Sequence, residues 1–205
     1  SPNKADSHAA HGAPLGEDEV KLTKQAYGWP DDEKFLVPGE VLEQFQSGIG
    51  SRGTEFSASW NEQRAAFASA QPEKSQQLDQ LLAGELPDDW ADDIPTFEAS
   101  EKGEASRKTS GTVLNAIAAK VPWMLGGSAD LSPSNMTDLT FEGAGEFGPG
   151  NYAGRIMHFG VREHAMAAAC NGMALSGLRP YGGTFFVFTD YFRPSLRLSC
   201  VMHQP

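Results

Sequence analysis

From Ala105 onward, short apolar runs alternate with segments long enough to be helices, and this alternation constrains the chain more than any other feature. It predicts a helix over Ala105–Lys120, a strand over Trp123–Ser128, a long loop, a helix over Arg162–Ser176, a strand over Tyr181–Phe186 and a helix over Asp190–Met202. Strands joined through a helical crossover pair in parallel, because a tight hairpin is not available to reverse them. The expected fold class is therefore α/β, with a mainly parallel sheet flanked by helices. The connection from Leu131 to Ile156 carries Gly143, Gly145 and Gly148 and has no apolar periodicity. Loops of that length inside compact domains are often functional.

The first part of the chain reads differently. Residues 1–15 are polar and punctuated by Pro2, Gly12 and Pro14, a loop pattern. Glu17–Tyr27 reads as a helix with acids first, lysines later and Gly28 at its end. Pro38 opens a second helix over Gly39–Phe45. A third covers Thr54–Ala70, with Phe56, Trp60 and Phe67 near one face and packing as their expected role; Gln71-Pro72 separates it from a fourth ending at Gly84. Acids and prolines (Pro87, Asp88, Asp89, Asp92, Asp93, Pro95) then form a polar connector. The expected organisation is residues 1–85, a linker over 86–104, and residues 105–205.

Composition removes several function classes. Among 205 residues, 16 basic side chains face 27 acidic ones, for a net charge of −11. That balance argues against a general surface for nucleic acid or anionic membrane, while leaving room for a local basic pocket. No apolar run approaches the ~18 residues of a membrane span. Cys170 and Cys200 have neither disulfide-framework nor metal-site spacing, so reduced thiols in a cytosol-like compartment are expected. The chain begins with Ser and shows no signal-peptide pattern, and it reads as a piece of something longer.

The chemistry concentrates between Ile156 and Tyr191. Glu163 stands where Gly160 gives way to a run of helix formers, and a carboxylate in a first helical turn suits the positive end of the helix dipole. Phe185, Phe188 and Tyr191 are spaced three apart, which on a helical turn places rings on one side. An acid facing an aromatic slot can hold a flat, basic heterocycle. Taken one at a time, each feature has a plainer reading: a first-turn Glu is commonplace, and three rings at this spacing suit an ordinary core stripe. Gly126-Gly127 alone is more simply a tight turn than a phosphate loop, and His164 is expected to point away from Glu163 and serve structure.

The blocks Gly160-Val-Arg-Glu-His-Ala-Met166 and Pro180-Tyr-Gly-Gly-Thr-Phe-Phe-Val-Phe-Thr-Asp-Tyr191 together resemble the transketolases, thiamine diphosphate enzymes. So do Gly126-Gly-Ser-Ala-Asp-Leu-Ser-Pro-Ser-Asn135 and Ser1-Pro-Asn-Lys-Ala-Asp-Ser-His-Ala-Ala-His-Gly-Ala-Pro-Leu15. Ordered blocks over nearly the whole chain carry more weight than any single motif. The resemblance implies the helical and loop tail of one thiamine-diphosphate-binding domain, then the start of a pyrimidine-binding domain. It assigns Glu163 to the N1′ atom of the cofactor aminopyrimidine and Phe185, Phe188 and Tyr191 to the packing around that ring. It places Asp130 near the cofactor, His11 in the site lining near the diphosphate and the substrate, and Arg107 and Ser134 on the substrate phosphate. An Arg fork suits phosphate, and a hydroxyl adds a donor.

The implied activity is transfer of a two-carbon ketol unit from a ketose phosphate to an aldose phosphate, in the pentose phosphate pathway or the Calvin cycle. A homodimer with active sites between subunits, Mg²⁺ beside the diphosphate, and a cytoplasmic or plastid setting come with it. The Gly-Asp-Gly-to-Asn run that carries the family's metal ligands is absent here, so those ligands are expected outside this chain. Two rival readings are a related thiamine enzyme (dihydroxyacetone synthase or deoxyxylulose-phosphate synthase) and a catalytically silent binding subunit. Deoxyxylulose-phosphate synthase would differ most in Asp130–Asn135 and around Arg107; the silent subunit is opposed by Glu163.

Overall fold

The centre of the fold is a three-stranded parallel sheet in the order β2-β1-β3, built from β1 (Met124–Ser128), β2 (Ile156–His158) and β3 (Arg179–Gly183). The computed structural model describes all of residues 1–205. Gly126 pairs with Ile156 on one side of β1 and with Tyr181 on the other. The parallel arrangement expected from the alternation is therefore the one found. Two details differ. β3 begins and ends earlier than the Tyr181–Phe186 expectation, because the chain leaves the ladder at Thr184 and coils into a 3₁₀ turn over Phe186–Phe188. The loop after β1 also contains a strand that has no pattern of its own: β2 is three residues long, and its register comes from β1.

Gly126 and Gly127 form the middle of β1 rather than a tight turn. A Cβ on Gly126 would sit 1.9 Å from the Tyr181 carbonyl oxygen, and one on Gly127 would sit 1.9 Å from that of Met157. The pair is thus a packing requirement of the central strand.

The chain folds as two compact units, Ser1–Ala65 and Ala66–Pro205. The helices are α1 (Glu17–Ala26), α2 (Gly39–Phe45), α3 (Ser51–Ala70), α4 (Pro72–Ala83), α5 (Ser106–Lys120), α6 (Ser132–Asn135), α7 (Glu163–Leu175) and α8 (Thr189–Val201). α4 has Pro72 at its start and ends on Gly84 in the left-handed conformation, as the punctuation demands. α3 starts three residues before Thr54, because an i→i+5 turn over Gln46–Gly50 carries the helical path on from α2. Of its three aromatics expected to pack, Phe67 is half-buried, whereas Phe56 is 72% exposed and Trp60 55%.

In the second unit Ala118, Leu139 and Ala144 form a buried cluster, with Leu114, Met124, Phe141, Ile156 and Tyr181 packed around it. Half-buried Arg155 reaches into this region. Its Nε donates to the Met124 carbonyl (2.8 Å), its Nη2 donates to those of Ala118 (2.6 Å) and Val121 (2.8 Å), and its guanidinium lies 5.1 Å from the centre of the Phe141 ring. Burial lowers its pKa from the ordinary arginine value; the three carbonyl acceptors take up the Nε–H and both Nη2 protons, three of its five donors. No helix is long and apolar enough to cross a membrane.

Candidate functional site

Ligands in open α/β sheets meet the chain beyond the carboxyl ends of the strands, and here β1, β2 and α7 converge on such an end. β1 finishes at Ser128, whose buried hydroxyl is a junction. It donates to the Gly183 carbonyl at the end of β3 and accepts from the Leu131 amide and the Asn135 Nδ2, each at 3.0 Å. These bonds fix the turn that bears Asp130, which takes a left-handed backbone with φ 63°. Ser128 and Asn135 escaped the sequence reading, although a hydroxyl closing a strand with an amide seven residues on is a recognisable signal.

After β2 the chain turns at Gly160, with φ 66°; a Cβ there would collide with the Arg162 guanidinium. Arg162 donates to the Phe159 carbonyl (3.0 Å), and α7 begins at Glu163. The Glu163 carboxylate therefore lies at the positive end of α7, and the residue is only 7% exposed. No hydrogen bond or ion pair within the chain engages it. Opposite stand Phe188 and Tyr191, with ring centres 6.3 Å apart and planes 25° apart, a stacked pair. Glu163, Asp130, Phe188 and Tyr191 line one cleft of ≈ 610 Å³, together with Leu131 and Val161. His164 lines it too, and its Nδ1 lies 3.2 Å from the Ser195 hydroxyl of α8.

Phe185 does not join this cleft. It precedes the 3₁₀ turn and lines a second cleft of ≈ 750 Å³ with Arg107, Ser110, Asn135, Tyr181 and Thr184. The Thr184 hydroxyl is buried there without a hydrogen-bond partner. Arg107 stands in the first turn of α5, so a guanidinium and a helix N-terminus border the same space, the ingredients of an anion site. Burial raises the Tyr181 phenol well above its ordinary value, and its hydroxyl donates to the Thr137 carbonyl (2.9 Å). Ser134 lies on α6 beside this region but borders neither cleft, and its amide donates to the Leu131 carbonyl (2.8 Å). His11, exposed in the first unit, closes a 3₁₀ turn over His8–Ala10 through its amide. No three His, Cys, Asp or Glu side chains come together as a metal-holding group.

The carboxylate–ring cleft suits a flat heterocycle with a basic ring nitrogen. Its residues fit the aminopyrimidine of thiamine diphosphate: an acid without a partner in the chain for the nitrogen, and two stacked rings for the face.

Comparison with known proteins agrees with this chemistry. The profile of the transketolase thiamine diphosphate binding domain matches residues 1–87, and that of the transketolase pyrimidine binding domain matches residues 102–205. A transketolase of Geobacillus stearothermophilus is 51% identical over the whole of this chain, and one of Bacillus subtilis is 50% identical. The chain spans 30% of the length of each. Among solved structures, a Leishmania mexicana transketolase superposes with a TM-score of 0.79 at 35% identity, over 94% of this chain and 28% of its own. A Pichia stipitis transketolase in complex with sedoheptulose 7-phosphate gives 0.76 at 38% identity, over 94% and 29%. Two profiles, one after the other, and relatives aligned along the full chain have a single meaning: the chain belongs to the transketolase family.

Proposed function

We propose that this chain is part of a transketolase that moves a two-carbon ketol unit from a ketose phosphate to an aldose phosphate with thiamine diphosphate. The observation that carries the reading is the Glu163 carboxylate at the start of α7, on a residue only 7% exposed and without a partner in the chain, lining one cleft with the Phe188–Tyr191 stack. When bound, thiamine diphosphate supplies a weakly acidic thiazolium C–H and, on its own aminopyrimidine, the amine that removes that proton. Glu163 holds a proton at the pyrimidine N1′ and so favours the form whose amine acts as base. Phe188 and Tyr191 bury a face of the ring, while Phe185 lines the second cleft and takes no part in that packing. Asp130 borders the same space from the end of β1.

Arg107, at the positive end of α5, holds the phosphate of the sugar, with Ser134 and the unpartnered Thr184 hydroxyl as nearby donors. His11 completes a site between two subunits of a homodimer, in which one subunit contributes Glu163 and the other His11. Mg²⁺ binds the diphosphate through ligands supplied by a longer parent chain, in which residues 1–85 and 105–205 belong to successive domains joined by 86–104. A cytoplasmic or plastid enzyme of the pentose phosphate pathway or the Calvin cycle fits this chemistry.

The test is ketol transfer from fructose 6-phosphate to an aldose phosphate, with added thiamine diphosphate and Mg²⁺. The full-length parent should be active, and residues 1–205 alone inactive. A parent without transfer activity would defeat the reading. Arg107→Ala should remove one charge-assisted phosphate contact, of about 1.5–3 kcal/mol. It should therefore raise KM for phosphorylated sugars while sparing unphosphorylated ones, and equal damage to both would make Arg107 structural.

A further inference from the structure

The cleft just described has two walls that belong to different helices. Glu163 is the first residue of α7, and Tyr191 lies in the first turn of α8. The distance between acid and rings is therefore set by how those two helix starts are held together, and backbone hydrogen bonds within either helix cannot set it. α7 rests on β3 through Met166 and Cys170, which meet the sheet at Gly182. Toward α8 it presents Asn171 among apolar neighbours that include Ala167, with Phe192 and Leu196 on the α8 side.

Three residues of α7 and α8 form a buried network there. Asn171 Nδ2 donates to the Ser195 carbonyl (2.9 Å), and the Ser199 hydroxyl donates to Asn171 Oδ1 (2.5 Å). Asn171 is 8% exposed and Ser195 2%. These bonds secure the middle of the two helices. One turn nearer the cleft, the Ser195 hydroxyl lies 3.2 Å from His164 Nδ1 and 3.3 Å from the His164 carbonyl oxygen. A serine hydroxyl has one proton to give and lone pairs to receive with. Donating to the His164 carbonyl and accepting from Nδ1–H uses both contacts at once. Ser195 then grips both the backbone and the ring of the residue next to Glu163.

The sequence of α8 makes this grip more consequential. Pro194 lies inside α8 and has no amide proton, so the carbonyl one turn back, at Asp190, loses its helical donor. The first turn of α8, the one bearing Tyr191, is thus held less by its own backbone and more by contacts just after the proline. Ser195 is the next residue.

We infer that His164 and Ser195 are a positioning pair, a polar clasp between α7 and α8 that sets the Glu163 carboxyl against the Phe188–Tyr191 stack. Neither residue touches the reacting atoms in this scheme; each acts through the placement of Glu163 and Tyr191. The inference rests on the reading of the cleft as the aminopyrimidine site.

The experiment is a double-mutant cycle in the full-length parent protein, read by calorimetric titration with thiamine diphosphate at saturating Mg²⁺. Ser195→Ala and His164→Phe should each weaken cofactor binding by about five- to tenfold, the scale of a lost hydrogen bond in a partly buried site. The double variant should be no weaker than Ser195→Ala alone, because removing both partners leaves nothing unpaired. At saturating cofactor, KM for the sugar phosphates should stay unchanged, a split that general loosening of the fold would not produce. His164→Phe alters a residue on the cleft rim, so it serves even if Ser195→Ala fails to fold. Dissociation constants within twofold of the unsubstituted protein, multiplying effects in the double variant, or a parallel rise in sugar KM would each overturn the clasp while leaving the site reading intact. Absence of thiamine diphosphate binding by the unsubstituted protein would overturn both.

Discussion

Both units of the chain expose large apolar side chains, but only the second buries any. In Ser1–Ala65, Phe35 is 99% exposed and Tyr27 81%, and the only buried side chain is that of Glu19. In Ala66–Pro205, Val121, Trp123, Leu139 and Met166 are buried. The first unit is held by local helices and polar ties. Glu19 accepts from the Ser1 hydroxyl (2.5 Å), the Asn3 amide (2.8 Å) and Asn3 Nδ2 (2.9 Å), and Lys4 Nζ reaches the Leu15 carbonyl (3.0 Å). The second is held by a sheet whose strands lie far apart in sequence. The contrast teaches that a helix can be specified by the residues within it, whereas burial depends on what the rest of the fold brings against it.

The sharpest way to break the contrast is to add one methyl group to each unit. Gly127→Ala places a Cβ against the Met157 carbonyl in the central strand, where backbone cannot yield cheaply. It should cost about 3 kcal/mol or more, enough to unfold the second unit in a denaturant titration. Gly53→Ala adds the same group to α3 with nothing within 4 Å of it. There the entropic cost of a helical glycine dominates, and a gain of about 0.5–1 kcal/mol is expected. If both changes were neutral, the claim that only the second unit is tightly packed would be wrong.

A smaller effect should follow from Arg155→Leu, which keeps apolar bulk beside Phe141 but removes the guanidinium bonds to the Met124, Ala118 and Val121 carbonyls. Hydrogen bonds from a charged group contribute about 1.5–3 kcal/mol, so a loss within that range is expected in the same titration. A more stable variant would show that burying the guanidinium costs more than its bonds return.

The smallest effect concerns acid. The Ser1 hydroxyl, then the Asn3 amide and side chain, hold the Glu19 pKa down to about 2, from an ordinary 4.5. A depressed carboxylate stabilises the folded form fully above its ordinary pKa, and that contribution is lost as pH falls from 4.5 toward 2. Amide protection at Asn3 should therefore decline across that window, and Glu19→Gln should flatten the decline. The second unit has its own depressed carboxylate in Asp89, lowered by its hydrogen bond to Lys120 at 2.9 Å. Equal sensitivity at Asn3 with and without the Glu19 carboxylate would remove the polar-tie account of the first unit.

Much of the helical structure was legible because its signals are local. Gly39–Phe45 was read with the bounds it has, and Glu17–Tyr27 and Arg162–Ser176 differ from the observed helices by a residue at one or both ends. Pro38, Pro72, Gly84 and Gly177 punctuate the chain wherever it is placed. β2 was not legible, since three residues carry no periodicity and only pairing with β1 makes them a strand. The exposure of Phe56 and Trp60 was equally hidden, because spacing says which residues share a face and nothing about what meets it.

The candidate site divides the same way. Glu163 at a helix start, and Phe188 three residues before Tyr191, could be read from spacing. That Phe185 would line a different cleft depends on the 3₁₀ turn after Thr184, and that His164 would border the Glu163 cleft depends on how α7 packs against α8. Such facts belong to pairs of elements, and no single stretch of sequence contains them.

The central claim is that the Glu163 carboxyl, set against the Phe188–Tyr191 stack, is the proton partner of the aminopyrimidine. Hydrogen–deuterium exchange at the thiazolium C2 of thiamine diphosphate, bound to the full-length parent, tests it most directly. Glu163→Gln preserves shape and a hydrogen bond but cannot exchange the proton comparably. It should slow the exchange by about 100-fold or more while leaving the melting temperature unchanged. An exchange rate equal to that of the unsubstituted protein would contradict the account.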